Sequence, residues 1–190
     1  MAAKEPVVVA FGDSLTAGYG VADADAFPTR LAAALAARGT PVRMINASVS
    51  GDTSAGGLAR LDWSLADKPT HALVELGAND ALRGLSPAAM EQNLDGIITG
   101  LTNAGAKVLL AGMIAPRNLG PDYQAAFEGA YAKLAEKHQI ALYPFFLEGV
   151  PGKPELIQAD GLHPNAAGVA VIVERIMPVV EALLVTGDSK

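Results

Sequence analysis

The chain has no cysteine among its 190 residues, a single tryptophan and only 5% aromatic residues. The first absence excludes disulfides and thiolate metal sites and leaves the redox compartment open. The scarcity of rings leaves little platform for stacking sugars. Charge is sparse too, at 18% of residues, and its balance is acidic, with 14 lysines and arginines against 20 aspartates and glutamates for a net charge of −6. That balance argues against nucleic acid or an anionic membrane surface as the main partner. Gly, Asp, Lys or Arg interrupts every apolar run before it reaches the length of a bilayer crossing, so stable membrane insertion is not expected. What is present is apolar: 51% of residues are hydrophobic, which marks a globular chain rather than a disordered one. Residues 1–190 fit one domain, long enough to bury about 70% of its unfolded surface.

The start, Met1-Ala2-Ala3-Lys4-Glu5-Pro6, runs almost directly into the first strand and lacks the pattern of a signal peptide. A cytoplasmic protein and a periplasmic or secreted one whose leader has been removed both stay open. Residues 7–11 are five apolar residues in a row and read as a strand buried on both faces, as in a parallel sheet. Gly12 permits a tight turn, and Asp13-Ser14 follows at the carboxyl end of that strand, where open α/β sheets bind ligands. Asp13 and Ser14 also suit the cap of a following helix. No P-loop ending, no dinucleotide-binding glycine spacing and no Gly-x-Ser-x-Gly elbow occurs here.

Strand and helix patterns then alternate. Helices are expected over residues 27–38, 54–67, 87–104 and 122–138, and over a last segment from about 164 to about 184 that Pro178 should bend or divide. Further strands are expected over 42–47, 71–76, 107–113 and 140–144, with an irregular stretch at 148–158. Repeats, linkers and low-complexity tracts are absent. Five strands alternating with helices predict a single α/β domain with a parallel sheet.

The chain has three histidines. His71 opens a strand, at the end of the sheet away from the expected site, and His138 lies among charged residues at a helix end, where a cation suits the dipole. His163 differs, because it sits in Asp160-Gly161-Leu162-His163-Pro164. A carboxylate three residues before an imidazole, with a glycine between, can fold back to accept the Nδ1 hydrogen and leave Nε2 facing outward as a base. Asp160 capping an ordinary turn is the plainer alternative. Ser14 would be the nucleophile, since a serine hydroxyl needs such a base to take its proton. Gly51, through its backbone N–H, and Asn79, through its side-chain amide, are candidate donors to a developing oxyanion, although each alone reads as a turn residue.

Four segments, Gly12-Asp13-Ser14-Leu15, Ser50-Gly51-Asp52, Gly77-Ala78-Asn79-Asp80 and Asp160-Gly161-Leu162-His163-Pro164, resemble the signature blocks of the SGNH (GDSL) hydrolases in the family's order. The resemblance spans essentially the whole chain and is nearest to small bacterial arylesterases and acyl-CoA thioesterase/lysophospholipases. It implies a flavodoxin-like three-layer α/β/α sandwich with a five-stranded parallel sheet. It assigns Ser14 as nucleophile, His163 as base and Asp160 as its partner, with the N–H groups of Ser14 and Gly51 and the Asn79 side chain as oxyanion hole. Neither a metal nor an organic cofactor is implied. The implied partner is a small-molecule ester or thioester, hydrolysed through an acyl-enzyme. Activity should fall in acid as His163 takes up a proton.

The acyl pocket is expected from the loops at 81–85 and 114–123, with Ile114, Leu119 and Tyr123 as candidate lining, and from residues 145–156 on the other side. A carbohydrate O-acetyl esterase or an acyltransferase is the alternative within the enzymes. A non-catalytic or flavin-binding module on the same fold is the alternative outside them. Acyl-chain length, leaving group and oligomeric state stay open.

Overall fold

The computed structural model describes residues 5–185. Met1 to Lys4, on which the reading of the amino terminus partly rests, lie outside the described residues. The chain runs β1 (Val7–Gly12), α1 (Ser14–Ala17), α2 (Phe27–Ala37), β2 (Arg43–Asn46), α3 (Ser54–Ala59), α4 (Leu61–Leu65), β3 (His71–Glu75), α5 (Ala78–Leu82), α6 (Pro87–Asn103), β4 (Lys107–Ala111), α7 (Pro121–His138), β5 (Ala141–Tyr143) and α8 (Ala166–Val185). Short 3₁₀ turns at Asp23–Asp25, Arg117–Leu119 and Pro154–Leu156 join these elements.

The five strands form one parallel sheet in the order β2-β1-β3-β4-β5. This is the flavodoxin-like order, and its ligand site lies where the winding reverses, between β1 and β3. The sheet's centre is buried on both faces, and every residue of β3 is buried, the apolar Ala72–Val74 together with the terminal His71 and Glu75. Helices α2 and α8 pack together on one side, while α6 packs against α3 and α7 on the other, which gives the expected three layers. Leu31 and Leu35 of α2, Leu94, Ile97 and Ile98 of α6, and Ile172 and Ile176 of α8 supply the apolar stripes and are fully buried.

Local chemistry sets the ends of these elements. Pro28 lies in the first turn of α2, and Ser86 caps α6 by accepting from the Ala89 N–H. Asp13 caps α1 by accepting from the Leu15 N–H at 3.0 Å, which leaves Ser14 as the first helical residue.

Three expectations need correction. The segment 54–67 is two short helices, because Arg60 leaves the helical region between them (φ −110°, ψ 9°). Its guanidinium turns inward to the Ala47 and Gly12 carbonyls and the Asp52 carboxylate, an arrangement a straight helix would not permit. The start of the expected 81–85 loop, with the turn residues before it, is a short helix, Ala78–Leu82. Last, α8 runs unbroken through Pro178. Pro178 and Glu174, whose carbonyl loses its helical partner, are both exposed, so the lost hydrogen bond falls on the solvent side and the buried face of the helix stays packed.

Candidate active site

The carboxyl ends of β1 and β3 lie side by side, with Gly12 opposite Glu75. Three loops meet there with the segment before α8. Ser14 Oγ lies 2.9 Å from His163 Nε2, and His163 Nδ1 lies 2.6 Å from Asp160 Oδ2. These three residues, 149 positions apart at the extremes, form one continuous hydrogen-bonded chain.

The Asp160 turn is built to hold this geometry. Its other carboxylate oxygen, Oδ1, accepts from the backbone N–H groups of Leu162 at 2.9 Å and His163 at 3.1 Å. Those backbone bonds first, and the imidazole second, hold the Asp160 carboxyl down at about 2, so it remains an acceptor. The Tyr19 ring packs on the imidazole with centroids 4.6 Å apart. Gln158 ties the two regions together, donating from Nε2 to the Tyr19 and Pro164 carbonyls while its own N–H bonds the His163 carbonyl.

Gly51 and Asn79 border the same cavity as Ser14 and His163. Gly51 has a left-handed backbone (φ +84°), a conformation that favours glycine. Among the described residues, no protein acceptor engages its N–H. The Ser14 N–H, at the start of α1, has no intrahelical acceptor. The Asn79 amide differs, because Nδ2 donates both to Asp13 Oδ2 at 3.0 Å and to the Asp52 carbonyl at 2.9 Å. Its orientation is fixed, and an arriving oxyanion would draw on hydrogens already in use.

Two groups, the half-buried Arg60 and the buried Asp80, fix the loops that carry these donors. The Arg60 guanidinium sits 4.2 Å above the centre of the Phe11 ring and clamps the Gly12 carbonyl to the loop after β2. Asp80, next to Asn79, accepts from Ser54 N at 2.8 Å and Ser54 Oγ at 2.6 Å, which docks α5 onto the start of α3.

The cavity has a volume of about 520 Å³ and is mainly apolar away from the Ser14–His163 end. Tyr19, Leu82, Met113, Ile114, Leu147 and Leu162 line it. Of the three lining residues expected from sequence, Ile114 is present and the other two are not. Tyr123 is turned away, donating its hydroxyl to the Leu85 carbonyl at 2.7 Å and stacking on Phe127, and Leu119 lies in the adjoining 3₁₀ turn. Leu82 lies within the 81–85 segment expected to border the site, whereas no spacing marks Tyr19, Met113 or Leu162, which come from separate segments. Leu147 did fall within the segment expected to close the far side. His71 lies at the opposite end of β3, with Nδ1 2.9 Å from Thr70 Oγ1, and His138 pairs with Asp95. The described residues hold no cluster of metal-ligating side chains.

A sequence model of the GDSL-like lipase/acylhydrolase family matches residues 10–171. Esterase TesA of Pseudomonas aeruginosa is 45% identical over 183 residues, which cover 96% of this chain and 91% of that protein. Thioesterase 1/protease 1/lysophospholipase L1 of Escherichia coli K12 is 42% identical over 165 residues, 86% of this chain and 78% of that one. The crystal structure of AlinE4, an SGNH-hydrolase family esterase, superimposes with a TM-score of 0.81 at 49% identity, covering 97% of this chain and 99% of that one. The match runs from β1 into α8 and takes in all four loops of the site, and the chain belongs to the GDSL-like lipase/acylhydrolase family.

Proposed function

We propose that this protein is a serine esterase that hydrolyses small-molecule carboxylic esters, thioesters among them, through an acyl-enzyme. The observation that carries the reading is the Ser14–His163–Asp160 hydrogen-bonded chain at one end of an apolar cavity. The esterase and thioesterase names of its relatives support the same reaction class.

In this reading Ser14 Oγ attacks the carbonyl carbon while His163 Nε2 takes its proton. Asp160 holds the imidazole by Nδ1 and stabilises the charge that forms there. The N–H groups of Ser14 and Gly51, with the Asn79 amide, take the developing oxyanion. Collapse expels the alcohol or thiol with the proton from His163, and a water activated by the same imidazole then releases the acid. The cavity's apolar walls suit a small to medium acyl chain.

Hydrolysis of p-nitrophenyl esters from acetate to decanoate by the parent and by Ser14→Ala tests the reading. The parent is expected to show a maximum at one chain length, and Ser14→Ala to lose on the order of 10⁶-fold in turnover. Equal rates in the two proteins, or a parent inert on every ester, would overturn it.

A further inference from the structure

Glu75 closes β3 directly beneath the nucleophile turn, and neither it nor Asp13 exposes any surface. The β1–β3 register sets Gly12 opposite Glu75, which brings the Asp13 and Glu75 carboxyl groups together beneath the turn, where each acts on the other's ionisation. A carboxylate only accepts, and two fully buried carboxyl groups side by side repel when both are ionised, so the pair is favoured with one proton between them. No salt bridge among the described residues reaches either group.

The partners of each oxygen say where that proton lies. Asp13 Oδ1 accepts from the Leu15 N–H and Asp13 Oδ2 from Asn79 Nδ2, so both its oxygens are served as a carboxylate. Glu75 Oε2 accepts from the Thr16 hydroxyl at 2.8 Å. Glu75 Oε1 is buried and receives no well-formed hydrogen bond from any N–H or hydroxyl. An oxygen that lacks a donor in such a buried acid pair is satisfied if it carries the hydrogen itself.

We propose that Glu75 is a neutral carboxylic acid whose Oε1 hydroxyl donates to Asp13, and that this acid–carboxylate pair is the positioning device that aims the Asn79 amide. The proposal rests on the esterase reading for the purpose of that aim, but not for the protonation itself. One negative charge beneath the oxyanion site orients Asn79, whereas a second would oppose the charge that develops during reaction. Burial, reinforced by the Asp13 charge, pushes the Glu75 carboxyl well above its ordinary range, which agrees with this state. Tyr131 of α7 and His163 face the pair, and Asp80 of α5 acts on the same Tyr131 hydroxyl. Arg60, from the break between α3 and α4, reaches the adjacent Gly12 carbonyl.

Glu75→Gln presents the same neutral donor and acceptor. It is expected to keep turnover within about threefold at neutral pH, whereas Glu75→Ala should lower kcat by about tenfold or more with KM little changed. A loss beyond about tenfold in Glu75→Gln, or a Glu75→Ala change confined to KM, overturns the positioning role.

Two readouts need no esterase activity and so separate this proposal from the proposed function. In the parent, the native pair keeps a proton that the unfolded chain releases above the ordinary glutamate range. The folding constant should therefore fall by up to about tenfold per pH unit relative to Glu75→Gln as pH rises through that window. Infrared spectra of the parent in D₂O at neutral pH should show a carboxylic-acid C=O band, measurable even where a variant does not fold. Parallel stability profiles, or no such band, overturn the neutral acid.

Discussion

Asn79 shows how much of this site depends on one amide held at both ends. Its Nδ2 is aimed by the Asp13 carboxylate and the Asp52 carbonyl, so truncation removes a donor without emptying any core position. Asn79→Ala is expected to lower kcat by roughly 10²–10³-fold while the unfolding midpoint stays close to the parent's. Steady-state kinetics beside thermal denaturation check this, and full activity in the variant would remove Asn79 from the oxyanion site. The residue types were legible: a serine after the first strand, a histidine three residues beyond an aspartate, and an asparagine after the third strand. The use of Asn79's hydrogens, and the carboxyl pair behind it, depend on distances that no sequence pattern encodes.

The His163 turn is tied to the element that follows it. Gly168, in the first turns of α8, lies so close to the preceding loop that an added Cβ would stand 2.2 Å from the Leu156 carbonyl oxygen and 2.9 Å from Pro164 Cβ. Backbone on one side and a proline ring on the other cannot yield as a flexible side chain would. Gly168→Ala should therefore push the loop from the helix, lowering both stability and kcat, with overpacking costing about 1–3 kcal/mol. Chemical denaturation and ester hydrolysis measure the two effects, and an unchanged variant would show that the loop is free to shift. At this scale the periodic helices were read to within a few residues. The break at Arg60 was not, because a local pattern of leucines gives no hint that one arginine is needed inside to clamp two loops. The turn of helix at 78–82 is too short to show a period at all.

Across the whole molecule, acid acts on the site before it acts on the fold. Asp160 and Asp95 both have lowered carboxyl values, the first chiefly through backbone N–H groups and the second through Lys137 and His138. A carboxyl lowered in the folded state contributes stability that is complete above its unfolded value and is lost only as pH falls towards its folded one. Between neutrality and about pH 4, the unfolded aspartate value, these contributions persist. The buried Glu75, raised by its surroundings, favours the folded state increasingly over the same descent. Asp13, which burial pushes up to about 6, meanwhile takes up a proton and no longer serves as the carboxylate that aims the Asn79 amide. Activity is therefore expected to vanish in mild acid while circular dichroism stays native, and to return on neutralisation. Loss of both signals together would contradict this order.

The α/β alternation, the acidic and cysteine-free character of the chain, and the chemistry of its four signature loops can be read from the residues alone. These follow from periodicity, composition and residue type, which are local properties. The strand order that sets β1 beside β3, and with it the meeting of Ser14 and His163 across 149 positions, emerges in the folded chain. The folded chain also sets which apolar side chains face the cavity, drawing in Leu82, Met113 and Leu162 and turning Tyr123 away. Loop side chains have no repeating spacing, so their direction is fixed by what packs behind them.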